Sequence, residues 1–142
     1  MDEAYLKGRL CKALHKRMPG AVVIRHEDKF NKGIPDISST WFRTTTWAEV
    51  KLDRPGRRSK VGPLQRHFLR GLAGLLVTYQ VRKDGTGVVV DDVEAGRCAL
   101  ALDAPFSKCH AAVAELIANR TPRGAPETPG PRLDISRPAG VY

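Results

Sequence analysis

The sequence predicts an α/β domain in which helix, three strands, helix and strand follow one another. Three observations carry that expectation. Apolar residues recur at helical spacing near the N-terminus, short β-branched or alternating runs follow, and a proline opens a second amphipathic stretch ahead of an apolar strand. The 142 residues, 42% of them hydrophobic, suffice for one core without staples.

In residues 2–18, Tyr5, Leu6, Leu10, Ala13 and Leu14 fall near helical spacing, and Lys7, Arg9, Lys12, Lys16 and Arg17 cover the other faces. Asp2 and Glu3 sit in the first turn, where carboxylates suit the helix dipole, and Pro19-Gly20 ends the element. Ala21 to Arg25 is β-branched and reads as a strand; 26–34 is a polar, basic loop. Residues 35–42 read as a second strand, with Ile37, Ser39 and Trp41 on one face and Asp36, Ser38 and Thr40 on the other. Pro35 suits its first position. A hairpin turn is expected at Arg43-Thr44-Thr45.

The third strand, 46–52, alternates Ala48, Val50 and Leu52 with Trp47, Glu49 and Lys51. Hairpin pairing brings the start of strand two beside the end of strand three, and so Asp36 beside Glu49 and Lys51. A basic loop, 53–62, leads to Pro63, a good first helical residue. Leu64, Phe68, Leu72 and Ala73 form the apolar stripe of that helix, and Gly74 its expected stop. Leu75 to Val81 reads as a buried strand, Asp84-Gly85 as a turn, Gly87 to Asp91 as a strand, and 107–119 as a helix with Ala112, Val113, Leu116 and Ile117 inward. From Arg120 onward, prolines and glycines alternate in a tail that cannot build a core; only Leu133-Asp134-Ile135 could dock. The expected division is therefore a domain over 1–119 and a disordered or extended arm over 120–142.

A formal charge of +9 favours polyanionic partners, nucleic acid or an acidic membrane surface. Cys11, Cys98 and Cys109 are odd in number and widely spaced, which gives no disulfide framework or paired zinc motif. No secretory h-region and no run long enough to span a bilayer is visible, so a cytoplasmic protein is expected. Cys11 with His15, and Cys109 with His110, each lack two further ligands for zinc. Trp41 reads as core; Trp47 shares the face of Glu49.

Phosphodiester hydrolysis needs activated water, neutralised phosphate charge and a stabilised leaving oxygen, all of which Mg²⁺ can supply through hard oxygen ligands. Asp36 and Glu49 offer two carboxylates and the Val50 carbonyl a third oxygen. Lys51 can orient water or offset phosphate charge, Gln65 can hydrogen-bond either, and Glu3 adds a carboxylate if the first helix crosses the site.

The Gly33-Ile34-Pro35-Asp36 lead, the Ala48-Glu49-Val50-Lys51 strand and the following Gln65 resemble PD-(D/E)XK nucleases, and within them the VRR-NUC and Holliday-junction-resolvase branch. The resemblance covers roughly residues 1–90. It implies a restriction-endonuclease-like α-β-β-β-α-β core with a mixed central sheet flanked by helices. It also implies a Mg²⁺- or Mn²⁺-dependent DNA endonuclease, prokaryotic or phage-encoded, with no small-molecule cofactor. Asp36 and Glu49 would bind metal, Lys51 assist, Gln65 support, and Glu3 match the acidic residue some members carry in the first helix. A junction cutter makes paired incisions, so a homodimer is expected of that subtype.

Arg54, Arg57, Arg58, Lys60, Arg66, His67 and Arg70 flank this site and suit phosphate contacts, with Arg25, Lys29 and Lys32 extending the surface. The competing readings are a catalytically silent nuclease fold that binds DNA or a protein, and a basic protein that coats RNA. The intact acid pair speaks against the first, and the few aromatics against the second.

Overall fold

Residues 1–27 and 32–121 are described by a computed structural model; Lys29 and the tail segment Leu133-Asp134-Ile135 lie outside the described residues. The elements are α1 (Glu3–Arg17), β1 (Val22–Arg25), β2 (Ile37–Trp41), β3 (Thr44–Asp53), α2 (Pro63–Gly71), β4 (Leu75–Arg82), β5 (Gly85–Asp92), β6 (Arg97–Asp103) and α3 (Phe106–Asn119). The strands form one six-stranded sheet in chain order. Only β3 and β4 pair in parallel; every other neighbour is antiparallel. A parallel pair cannot be closed by a tight turn, and α2 with its flanking loops supplies the crossover. The expected α-β-β-β-α-β order within a mixed α/β sheet is what the chain adopts.

Asp2 caps α1, accepting the Tyr5 amide at 2.8 Å, one of the amides that the first helical turn leaves without a carbonyl. Leu6, Leu10 and Leu14 recur every four residues and are fully buried, each worth about 1.5–3 kcal/mol. With Val113 and Ile117 of α3 they cover one face of the sheet, meeting Val50, Val77, Tyr79, Val88 and Val90. The inward residues of β3 are Ala48, Val50 and Leu52, as the alternation requires.

Four local expectations change. The β2–β3 turn is Phe42-Arg43, both at positive φ (48° and 63°), and Trp41 pairs with Thr44. Positive φ at both central residues is the twist-matched hairpin geometry, usually signalled by Asn-Gly, so neither side chain announces it. On α2 the buried residue is Leu69, while Leu64 and Leu72 are 50% and 36% exposed. The expected Leu64-Phe68-Leu72 stripe thus does not face the sheet; its N-terminal part packs against the loop at Gly33, where a Cβ would come within 2.7 Å of Leu64. That helix ends at Gly71, and the left-handed residue after it is Ala73 (φ 51°). Gly74 is there for space, since a Cβ would meet Leu69 at 2.8 Å. Finally, β6 was not expected: Ala99-Leu100-Ala101-Leu102 lacks β-branching and takes its conformation from pairing with β5.

Candidate functional site

The site grows from a mismatch in strand length. β2 begins at Ile37, paired with Ala48, whereas β3 runs on to Asp53. Beyond Ala48, the edge of β3 that faced β2 is open, and its amides need other acceptors. Carboxylates take them. Asp36, just ahead of β2, accepts the Val50 amide at 2.8 Å. Glu3, from the start of α1, accepts the Leu52 amide at 3.2 Å. Amide and carbonyl of one strand residue point to the same side, so the Val50 carbonyl opens onto the same edge as Asp36. The Leu52 carbonyl confirms the direction by accepting Ser59 Oγ at 2.8 Å, and Ser59 Oγ also reaches Glu3 Oε2 at 3.3 Å.

Glu49 and Lys51 project from the face of β3 opposite Val50, as strand alternation dictates. Lys51 Nζ stands 3.8 Å from Glu49 Oε1. Gln65 lies on the first turn of α2: its Oε1 accepts the Gly62 amide at 3.0 Å, and its Nε2 donates to Glu49 Oε1 at 3.3 Å. The first bond fixes which end of the amide faces the acid. One glutamine therefore ties the start of α2 to the central strand.

Glu49 is 3% exposed, and its Oε2 has no hydrogen-bond partner among the described residues. Burial pushes its carboxyl up to about 8, the charge of Asp36 adds to the rise, and Lys51 and Lys7 oppose it; protonated, Glu49 can hydrogen-bond Asp36, and ionised it leaves that oxygen without a donor. A buried oxygen with no partner beside a second carboxylate is a costly arrangement that a cation would relieve. The donors are carboxylates and a backbone carbonyl, the hard oxygen set that suits Mg²⁺ or Mn²⁺. The residues present thus fit such an ion. Glu3 does not complete a three-acid cluster with Asp36 and Glu49: no group of three or more His, Cys, Asp or Glu is gathered among the described residues.

Sequence reasoning missed Lys7, whose Nζ pairs with Asp36 Oδ1 at 2.9 Å. No local signal marks it, because its partner Asp36 lies 29 positions along the chain, outside α1. It also missed Ser59, which binds Glu3 and whose amide donates to Asp53 Oδ1 at 2.7 Å, pinning the basic loop to β3. In the loop after β1, His26 Nε2 is 2.7 Å from Ser38 Oγ and its ring lies 5.0 Å from that of Trp47.

The expected basic residues remain exposed: Arg54, Arg57, Arg58 and Lys60 on the loop, and Arg66, His67 and Arg70 on α2. Arg54 is anchored to the Met1 carbonyl. Arg25 pairs with Glu27 at 3.0 Å, and Lys32 is exposed. Trp41 packs on the core and donates to the Pro19 carbonyl at 3.2 Å. No helix among the described residues is long and apolar enough to cross a membrane.

No protein-family model matches the chain, and no curated protein sequence matches it. Among solved structures it is similar to Hjc of Archaeoglobus fulgidus, a Holliday junction resolvase from an archaeal hyperthermophile. The identity is 19%, over 78% of this chain and 98% of that one, with a TM-score of 0.45. A likeness at that level identifies no activity.

Proposed function

We propose that the chain is a metal-dependent DNA endonuclease of the PD-(D/E)XK type, in its VRR-NUC or junction-resolvase branch, acting in the cytoplasm. The observation that carries this reading is the convergence of Asp36, just ahead of β2, with the buried Glu49 of β3, a close pair of acids with Lys51 beside it. A purely binding protein gains nothing from two acids placed against a path for phosphate, because they repel it.

Asp36, Glu49 and the Val50 carbonyl would hold Mg²⁺ or Mn²⁺. When bound, such an ion lowers the pKa of water and offsets charge on the phosphate. Lys51 holds an ammonium next to Glu49, where it can orient the attacking water or neutralise charge developing on the phosphate oxygens. Gln65 keeps Glu49 in place and presents its own amide at the same point. Glu3 acts through Ser59 and the Leu52 amide, holding the basic loop against β3. Arg54, Arg57, Arg58, Lys60, Arg66, His67 and Arg70 supply phosphate contacts outside the reacting centre. A homodimer would provide the two incisions that a branched substrate requires.

The test is cleavage of supercoiled plasmid and of four-way-junction DNA with Mg²⁺, Mn²⁺ or EDTA, comparing the native chain with Asp36→Ala and Lys51→Ala. Metal-dependent cutting that both substitutions abolish supports the proposal. Tight DNA binding with no cutting in either metal assigns the chain to the catalytically silent reading.

A further inference from the structure

The parallel pairing of β3 and β4 has a second effect, away from the acid pair. With Asp53 opposite Gln80, both strands leave the sheet at the same end. After β3, Arg54 and Arg57 close a tight turn with reciprocal backbone hydrogen bonds of 3.0 and 2.9 Å. Pro55 and Gly56 form its tip, and Gly56 (φ 72°) supplies the left-handed residue the turn requires. After β4, Arg82 pairs with Gly85, leaving Lys83-Asp84 as a two-residue turn. The two turns wall a cleft of about 960 Å³ lined by Arg54, Arg57, Arg58, Lys60, Arg82 and Lys83.

These cations are poorly neutralised. Asp53 is engaged by the Ser59 amide, and Asp103 pairs with Arg82 at 2.7 Å, which fixes the guanidinium at one wall. No carboxylate pairs with Arg57, Arg58, Lys60 or Lys83 among the described residues. All six side chains are exposed, so each keeps its water and no buried cradle for a single small anion exists. A ligand with regularly repeated charge engages many solvated cations at once, and counterion release drives it. The cleft starts at Asp53, two residues beyond Lys51, a distance of about 7 Å. That corresponds to roughly two base-pair steps of duplex.

We infer that this cleft binds the phosphodiester backbone of duplex DNA to one side of the scissile bond, with the β4–β5 turn, and Lys83 above all, as the wall opposite the basic loop. The inference deepens the endonuclease reading and rests on it for which bond is cut; the binding itself is measurable without cleavage.

The experiment is fluorescence anisotropy of the full chain with a labelled 20-base-pair DNA duplex, and with a labelled RNA of the same length, in EDTA from 50 to 200 mM salt. It compares native protein, Lys83→Ala, Lys83→Glu, and Lys108→Ala on the exposed face of α3 as control. Lys83→Ala is expected to weaken binding about three- to tenfold and to lower the salt slope by about 1, Lys83→Glu to weaken it further, and Lys108→Ala to do neither. Lys83 variants that bind like the control, native protein that does not bind the duplex, or Lys83-dependent binding confined to RNA would overturn the inference. The two readings separate cleanly. Lys83-dependent duplex binding without cutting in any metal keeps the cleft and removes the nuclease. Metal-dependent cutting with binding indifferent to Lys83 does the reverse.

Discussion

The two faces of the central sheet are made by the same strands and do opposite work. Under α1 and α3, β3 presents Ala48, Val50 and Leu52 to a core of buried hydrophobic side chains. On the other face the same strand presents Glu49 and Lys51 to a thinner cover, a nine-residue helix that buries only Leu69. Stability is concentrated on the first face, which lets the second tolerate a buried acid with an unsatisfied oxygen. Strained, charged sites persist where the rest of the structure over-determines them.

The contrast breaks most sharply at Lys51 and Asp36. Lys51→Ala should reduce metal-dependent cleavage by about a thousandfold, a barrier increase of about 4 kcal/mol, while the melting temperature moves little. Single-turnover rates and calorimetry on the same samples check both halves. Leu10→Ala should do the opposite. A fully buried leucine lost to a cavity costs about 2–5 kcal/mol, yet the cleavage rate per folded molecule below the melting transition should stay native.

A third test separates the faces by pH. His110, on the buried face of α3, is hydrogen-bonded to the Tyr79 hydroxyl at 2.8 Å, and burial, with Arg9 adding, lowers its pKa to about 4. Between pH 6.5 and 4 the unfolded chain binds a proton that the folded chain refuses. The contribution of His110 to stability should therefore fall as pH drops through that window, by at most about 3 kcal/mol, while Glu49, raised to about 8, acts in the opposite sense. Urea titrations at stepped pH should show the His110 limb as the difference in stability between the native chain and His110→Gln, which keeps a partner for Tyr79.

Smaller effects sharpen the active face. Gln65→Ala should cost about 10–100-fold in cleavage or metal affinity, because it both steadies Glu49 and starts α2. Lys7→Met frees Asp36 Oδ1 from an ammonium at 2.9 Å. It should tighten Mn²⁺ binding by up to about fivefold, the worth of about 1 kcal/mol for such a pair, as read by titration calorimetry without DNA.

Strand periodicity alone determined which residues of β3 are core and which face the site, because side chains alternate whatever the strand packs against. The Pro35-Asp36 start and the hairpin order brought Asp36 beside Glu49 by the same local logic. Tertiary structure decided the rest, since it turns on which surface an element meets. A helical stripe does not say which side lies on a sheet, so Leu69 and not Leu64 was buried on α2. Phe42-Arg43 carries no turn signal, because its positive φ values are imposed by the strands it joins. Lys7 reaches Asp36 only because β2 begins late and leaves the edge of β3 open. Nor can local pattern see that two turns more than twenty residues apart share one cleft, which follows from the parallel pairing of β3 with β4.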